Sequence, residues 1–324
     1  MAMGDMNRTS PLDRPVPLAH RLAAALDGQG PWGGLAGAEP PDRRDRFTTL
    51  LAIYALHTAP LQSIGKRARH QHHPVVAALK HRLEERWLAE LASVPVPTDL
   101  PVDPVAAMRA LAARDRLPDV YRWLAKHATL GELVDFLALE GGPDGGFDDL
   151  VAACQVGLDG SAKLELARNY WDEMGNGYGT DVHTVLHQRM AATLGVEAAP
   201  LEAQPVEGLA RTAFGGLLAT NRWLQPEMLG ALGLTELQAG PRCRLVLKAF
   251  DRLGAPPAAY PFYEVHADVD PTHGKDWLEK AIAPLAADRP DWGARIVAGA
   301  WWRSVVNAEF FAAATPHHLE HRAA

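Results

Sequence analysis

Residues 75–91, VVAALKHRLEERWLAEL, place apolar side chains at Val75, Leu79, Leu83, Trp87 and Leu91, one at every fourth position. A repeat of three to four brings these side chains onto one face of an α-helix, whereas a strand would alternate every second residue. Working outward, Phe47, Leu50, Leu51 and Tyr54 repeat the pattern upstream. Downstream, the periodicity predicts helices over 105–113, 120–139, 148–156, 162–174, 182–194, 206–218, 226–237, 242–253, 260–285 and 292–313. Ala and Leu dominate these segments and strand-type alternation is almost absent, so the expected class is all-α. Short connections at 141–146 and 254–257 favour antiparallel neighbours in a bundle.

Composition excludes several function classes. The 324 residues are 48% hydrophobic and 22% charged, with 32 Lys and Arg against 39 Asp and Glu, a formal charge of -7. That balance is globular, and it offers no basic tract to follow a phosphate backbone, so no nucleic-acid partner is expected. No apolar run approaches the roughly 20 residues that span a bilayer, so no membrane partner is expected either. Two distant cysteines, Cys154 and Cys243, make neither a disulfide framework nor a thiolate zinc site, and a reducing cytoplasm is the expected compartment. The connector 93–104 carries four prolines and separates an amino-terminal helical portion from the rest. The expected organisation is an N-terminal extension over 1–44, partly flexible, a helical domain over 45–315 and a tail over 316–324.

Two motifs carry chemistry. In HADVDPTH, His266, Asp270 and His273 stand at i, i+4 and i+7. At about 100° per residue they fall near one line on a helix face, unless Pro271 breaks the helix and leaves them solvated. In NYWDEMGNGYGTDVHTVLH, Glu173 and His183 flank Gly175, Gly177 and Gly179. An unbroken helix would hold that pair roughly 15 Å apart along its axis. A bulge or break among the glycines would rotate His183 back toward Glu173; the alternative is two helices joined by a loop, with Glu173 capping and His183 exposed. His70, His72 and His73 crowd around a helix start at Pro74 without a carboxylate at helical spacing and read as surface, and His317, His318 and His321 lie in an Ala- and His-rich tail after Pro316, where ligation is not expected.

Together these two runs, the second extending through FYEVHADVDPTHGKDWL, resemble the heme-oxygenase-like diiron oxidases and oxygenases, a family of iron-containing redox enzymes, over roughly residue 44 to the end. The resemblance implies a heme-oxygenase-like bundle of about seven core helices with extra N-terminal helices. It implies six ligands for two Fe(II) ions, with O2 as co-substrate: Glu173 and His183 from one helix, His266, Asp270 and His273 from another, and a carboxylate from an earlier one. Glu140 is the candidate for that carboxylate, with Asp135, Asp149 and Glu165 as rivals. Three carboxylates and three imidazoles suit iron or manganese better than a closed zinc site. Tyr170, Asp172, His187 and Arg303 are candidates to line the pocket or support ligands. The implied activity is oxidation of a small organic, nitrogen-containing substrate by N-oxygenation or oxidative C–C cleavage, with room for an external electron donor and a homodimer. The rival readings are a metal-free oxidase or hydrolase of the same superfold and a non-catalytic small-molecule-binding protein.

Overall fold

The computed structural model describes residues 16–115, 117–140 and 146–315, except the side chains of residues 270 and 271. The described residues form helices and no strand, as the periodicity predicts. The chain divides into two compact units, Met1–Leu88 and Ala89–Ala324.

In the first unit, α1 (Leu18–Leu26), α2 (Arg43–Thr58), α3 (Leu61–Ile64) and the start of α4 (Pro74–Ala92) surround a small core that includes Leu22, Phe47, Leu50 and Ile53. Asp45 on α2 accepts from the amides of Leu18 and Ala19 at 2.7 and 3.0 Å, satisfying two donors at the start of α1. Within residues 28–44, rich in Gly and Pro, Leu35 is buried. The stretch is pinned by Arg82, which donates to the Ala36 carbonyl at 3.1 Å. His73 stacks on Trp32 with ring centroids 3.8 Å apart, so one of the discounted histidines packs against a neighbour.

The second unit contains α5 (Pro104–Arg114), α6 (Asp119–Lys126), α7 (Leu130–Glu140), α8 (Phe147–Cys154), α9 (Gly160–Glu173), α10 (His183–Leu194), α11 (Val206–Ala219), α12 (Gln225–Leu253), α13 (Pro261–Asp276), α14 (Ala283–Asp288) and α15 (Pro290–Ala314). Its axis is α12, buried along much of its length and packed on α6, α13 and α15. A helix buried on several faces must be apolar on several faces, which explains its weak amphipathic signal. The α12–α15 crossing is close enough to exclude side chains: a Cβ on Gly230 would lie 1.8 Å from the Ile296 carbonyl oxygen, and one on Gly299 2.0 Å from that of Glu227.

Two of the predicted helical stretches differ. The helix expected over 120–139 is two, because Thr129 and Glu132 form a capping box that starts α7 afresh: the Thr129 amide donates to the Glu132 carboxylate at 2.8 Å, and the Glu132 amide to Thr129 Oγ1 at 3.3 Å. The two helices expected over 226–237 and 242–253 are one, continuous through Pro241. Losing one backbone hydrogen bond there costs about 3 kcal/mol, and burying Leu234, Val246 and Phe250 at about 1.5–3 kcal/mol each offsets it. The helix expected over 260–285 forms, since Pro271 does not end α13, which passes through a π-helical turn, Trp277–Ile282, into α14.

Candidate metal centre

The site is built where α9, α10, α12 and α13 meet. Glu173 is the last residue of α9 and His183 the first of α10, and the linker between them folds back sharply. Gly175, Asn176 and Gly177 all have positive φ, at 59°, 52° and 89°. That left-handed run is open to Gly and Asn and costly for other residues. Gly175 also needs its missing side chain: a Cβ there would lie 2.5 Å from the Asp181 carbonyl carbon and 2.6 Å from the Val182 nitrogen. The chain therefore doubles back on the peptide just before His183. The result brings His183 Nδ1 to 2.8 Å from Glu173 Oε2, with the side chains only 6% and 4% exposed. The alternative of an exposed His183 is thereby excluded.

His266 and His273 project from α13 toward the same region. His266 and His183 lie edge to face with ring centroids 4.6 Å apart. The Nδ1 of His266 is 2.6 Å from the Phe262 carbonyl oxygen; a carbonyl only accepts, so Nδ1 carries the proton and Nε2 is left as the donor atom for a metal. His273 is fixed from its other end: Nε2 donates to Asp172 Oδ2 at 2.9 Å, and Nδ1 lies 3.7 Å from Glu236 Oε2. Burial lowers the His273 pKa, but the Glu236 carboxylate and then Asp172 outweigh it and raise the imidazole to about 9.

Glu236 escaped the sequence reading. It is a buried acid on α12, held by Asn169 Nδ2, which donates to Oε1 at 3.0 Å. Its signal in the sequence was a lone acid in the apolar run LGALGLTELQAG, residues 229–240. The register that puts it opposite His273 is set by close packing, since a Cβ on Gly274 would lie 2.9 Å from Leu237 Cδ2.

Two groups of side chains result, Glu173 with His183 and His266, and Glu173 with Glu236 and His273; within each, one ligand atom per residue lies within 4.8 Å of the others. Glu173 belongs to both. The donor set fits iron: the Nδ1 atoms of His183 and His273 are buried without a hydrogen-bond partner, and each faces a carboxylate. Buried donor atoms that converge without bonding one another are what a cation would satisfy.

Glu140 lies outside both groups but lines the same pocket, beside Glu173, His183, Glu236 and His266. It is buried and accepts from the Tyr121 hydroxyl, whose pKa burial and then the Glu140 charge push well upward. Arg211 donates to the Glu140 carbonyl at 3.1 Å, fixing the end of α7. Of the rivals, Asp135 and Asp149 are exposed and Glu165 pairs with Arg168 at 3.0 Å. The Asp270 side chain lies outside the described residues. Among the supporting candidates, Asp172 holds His273 and Arg303 lines the pocket. Tyr170 and His187 do not line it; His187 packs against Phe262 with ring centroids 5.0 Å apart.

Residues 135–307 match the family model described as iron-containing redox enzyme, which spans more than half of the chain. The chain belongs to the iron-containing redox enzyme family. Its helical architecture is accordingly heme-oxygenase-like, and an iron-dependent redox function follows from membership. No curated protein matches the chain. Among the described residues, no helix is long and apolar enough to cross a membrane.

Proposed function

We propose that this member of the family is a non-heme diiron oxidase or oxygenase that uses O2 to oxidise a small organic, nitrogen-containing substrate, by N-oxygenation or oxidative C–C cleavage. The supporting observation is that Glu173 is common to both ligand groups. Glu173, His183, His266, Glu236 and His273 would together hold the iron, and a carboxylate has two oxygens, so Glu173 could serve both groups. Glu140, at the wall of the same pocket, would be a further carboxylate for the centre. Iron in such a site supplies the electron transfers that reaction with O2 requires.

The chain's own residues do the rest. The Phe262 carbonyl and the Asp172 carboxylate hold the His266 and His273 rings in fixed orientations. Asn169 orients Glu236, and Tyr121 keeps its proton at the hydroxyl, where it holds Glu140. Phe147, Phe262 and Tyr263 complete the wall and limit water around these charges.

Iron stoichiometry tests the assignment. After anaerobic Fe(II) loading, the wild type should bind about two irons per chain, and Glu236→Gln and His183→Ala about one each. Glu173→Gln should hold neither tightly. Retention of two irons by Glu173→Gln would remove the shared-carboxylate reading.

A further inference from the structure

The pocket at the metal centre is small. Its cavity is about 80 Å³, whereas sites for organic molecules run from about 300 to 1,000 Å³ and a water occupies about 30 Å³. Iron, O2 and a few reacting atoms fill it; a whole substrate does not fit. A second cavity, of about 970 Å³, opens beside it. Among the described residues, Arg242 alone lines both.

Arg242 is built as a junction. Its Nη2 donates to Asp115 at 2.7 Å and to Gln238 at 3.3 Å, and both acceptors line the outer cavity. The guanidinium lies 4.9 Å from the ring centroid of Phe311 on the outer side and 6.0 Å from that of Tyr121 on the inner side. Its Nε is buried without a hydrogen-bond partner, a donor still to be satisfied. Among the described residues, the outer cavity's other cations are already committed, Arg114 to Asp99 at 2.6 Å and Arg122 to Asp119 at 3.2 Å. Trp301, Val305 and Phe311 contribute apolar wall.

We propose that the substrate is an elongated molecule whose apolar body lies in the outer cavity and whose reacting end passes Arg242 into the metal pocket, with a carbonyl or carboxylate of the molecule held by Arg242 at the junction. This rests on the iron reading above and adds the size and polarity of the substrate to it. It assigns the outer cavity as the specificity site and α15, through Ser304 and Ala308, as the element that sets how long a body is accepted.

Straight-chain alkyl hydroxamates test both layers. The head group chelates ferric iron and gives a visible charge-transfer band, while the chain reports where the rest of the ligand goes. With the ferric-loaded protein, affinity should rise from acetohydroxamate to octanohydroxamate by up to about fourfold per buried methylene. Ser304→Trp and Ala308→Trp, which fill the outer cavity, should each weaken octanohydroxamate at least about tenfold and leave acetohydroxamate unchanged. Two folded variants guard against one failing to fold. A normal acetohydroxamate band with affinity independent of chain length, or a length dependence that both variants preserve, overturns the outer-cavity assignment alone. Absence of the band with acetohydroxamate overturns the iron reading, and this one with it.

Discussion

Gly175→Ala should damage the metal centre without touching a ligand. The substitution forces alanine to φ 59° and sets its Cβ 2.5 Å from the backbone at Asp181. A left-handed alanine costs about 1–2 kcal/mol, and displacing backbone to relieve the contact adds about 1–3 kcal/mol. The total, about 2–5 kcal/mol, falls on the turn that delivers His183 to Glu173. For a unit of this size it lowers Tm by roughly 5–15 °C. Neighbouring glycines provide internal controls. A Cβ on Gly179 meets nothing within 4 Å, so Gly179→Ala should leave both Tm and iron content near wild type. Gly177→Ala is intermediate: φ is 89°, and the contact at 3.0 Å is with the Trp171 side chain, which sits at the surface and can move. Anaerobic Fe(II) titration and thermal unfolding of the three variants should rank Gly179→Ala, Gly177→Ala and Gly175→Ala in increasing order of damage. Equal iron content and equal Tm for Gly175→Ala and Gly179→Ala would refute the claim that this turn positions the ligand pair.

Two further outcomes follow from the His273 surroundings. Asp172→Ala removes the acceptor that orients the ring, and iron affinity should fall by about 10–100-fold with little change in helix content; unchanged affinity in a competition titration against a chelator would contradict the orienting role. The pH dependence has a definite sign: the metal-free chain holds the His273 imidazole at about 9, above its ordinary 6.5. The stabilisation it provides is therefore complete below the unfolded value and is lost as pH rises through about 9. The urea midpoint of metal-free protein should decline across that window, and the decline should be absent from His273→Gln; equal profiles for the two proteins would remove the imidazolium from the account.

How much could be read from the sequence depended on the distance over which each constraint acts. The positions of His266 and His273 on one helix were legible because i and i+7 share a face whatever the surroundings. The return of His183 to Glu173 was legible as chemistry, three glycines in a short span between an acid and a histidine, but the turn itself depends on the contact between Gly175 and the peptide at Asp181. The break before α7 was written locally as Thr129 and Glu132, yet the continuous apolar pattern across it dominated the reading. Glu236 was the hardest. Its only local mark is a charge in an apolar run, and its meaning comes from α13, whose approach is set by the fit of Gly274 against Leu237. The same holds for Arg242, whose place between two cavities is a property of the packed bundle.

The buried acids show how such a centre is held before iron arrives. Glu140, Glu173 and Glu236 are each less than a tenth exposed, and an unpaired buried charge costs several kcal/mol. Each is met by a protein group instead: Tyr121 donates to Glu140, Asn169 to Glu236, and His183 faces Glu173. The His273 imidazolium stands between Asp172 and Glu236, with its positive charge where the donor set calls for a cation. These compensations act in the metal-free chain, so the side chains of the proposed centre are brought together by folding alone, the reverse of a small zinc domain that closes only on its ion. In the proposed centre iron would take the place of the proton at His273 Nδ1, and Glu236, which faces that atom, would become a ligand while Asp172 stays on Nε2.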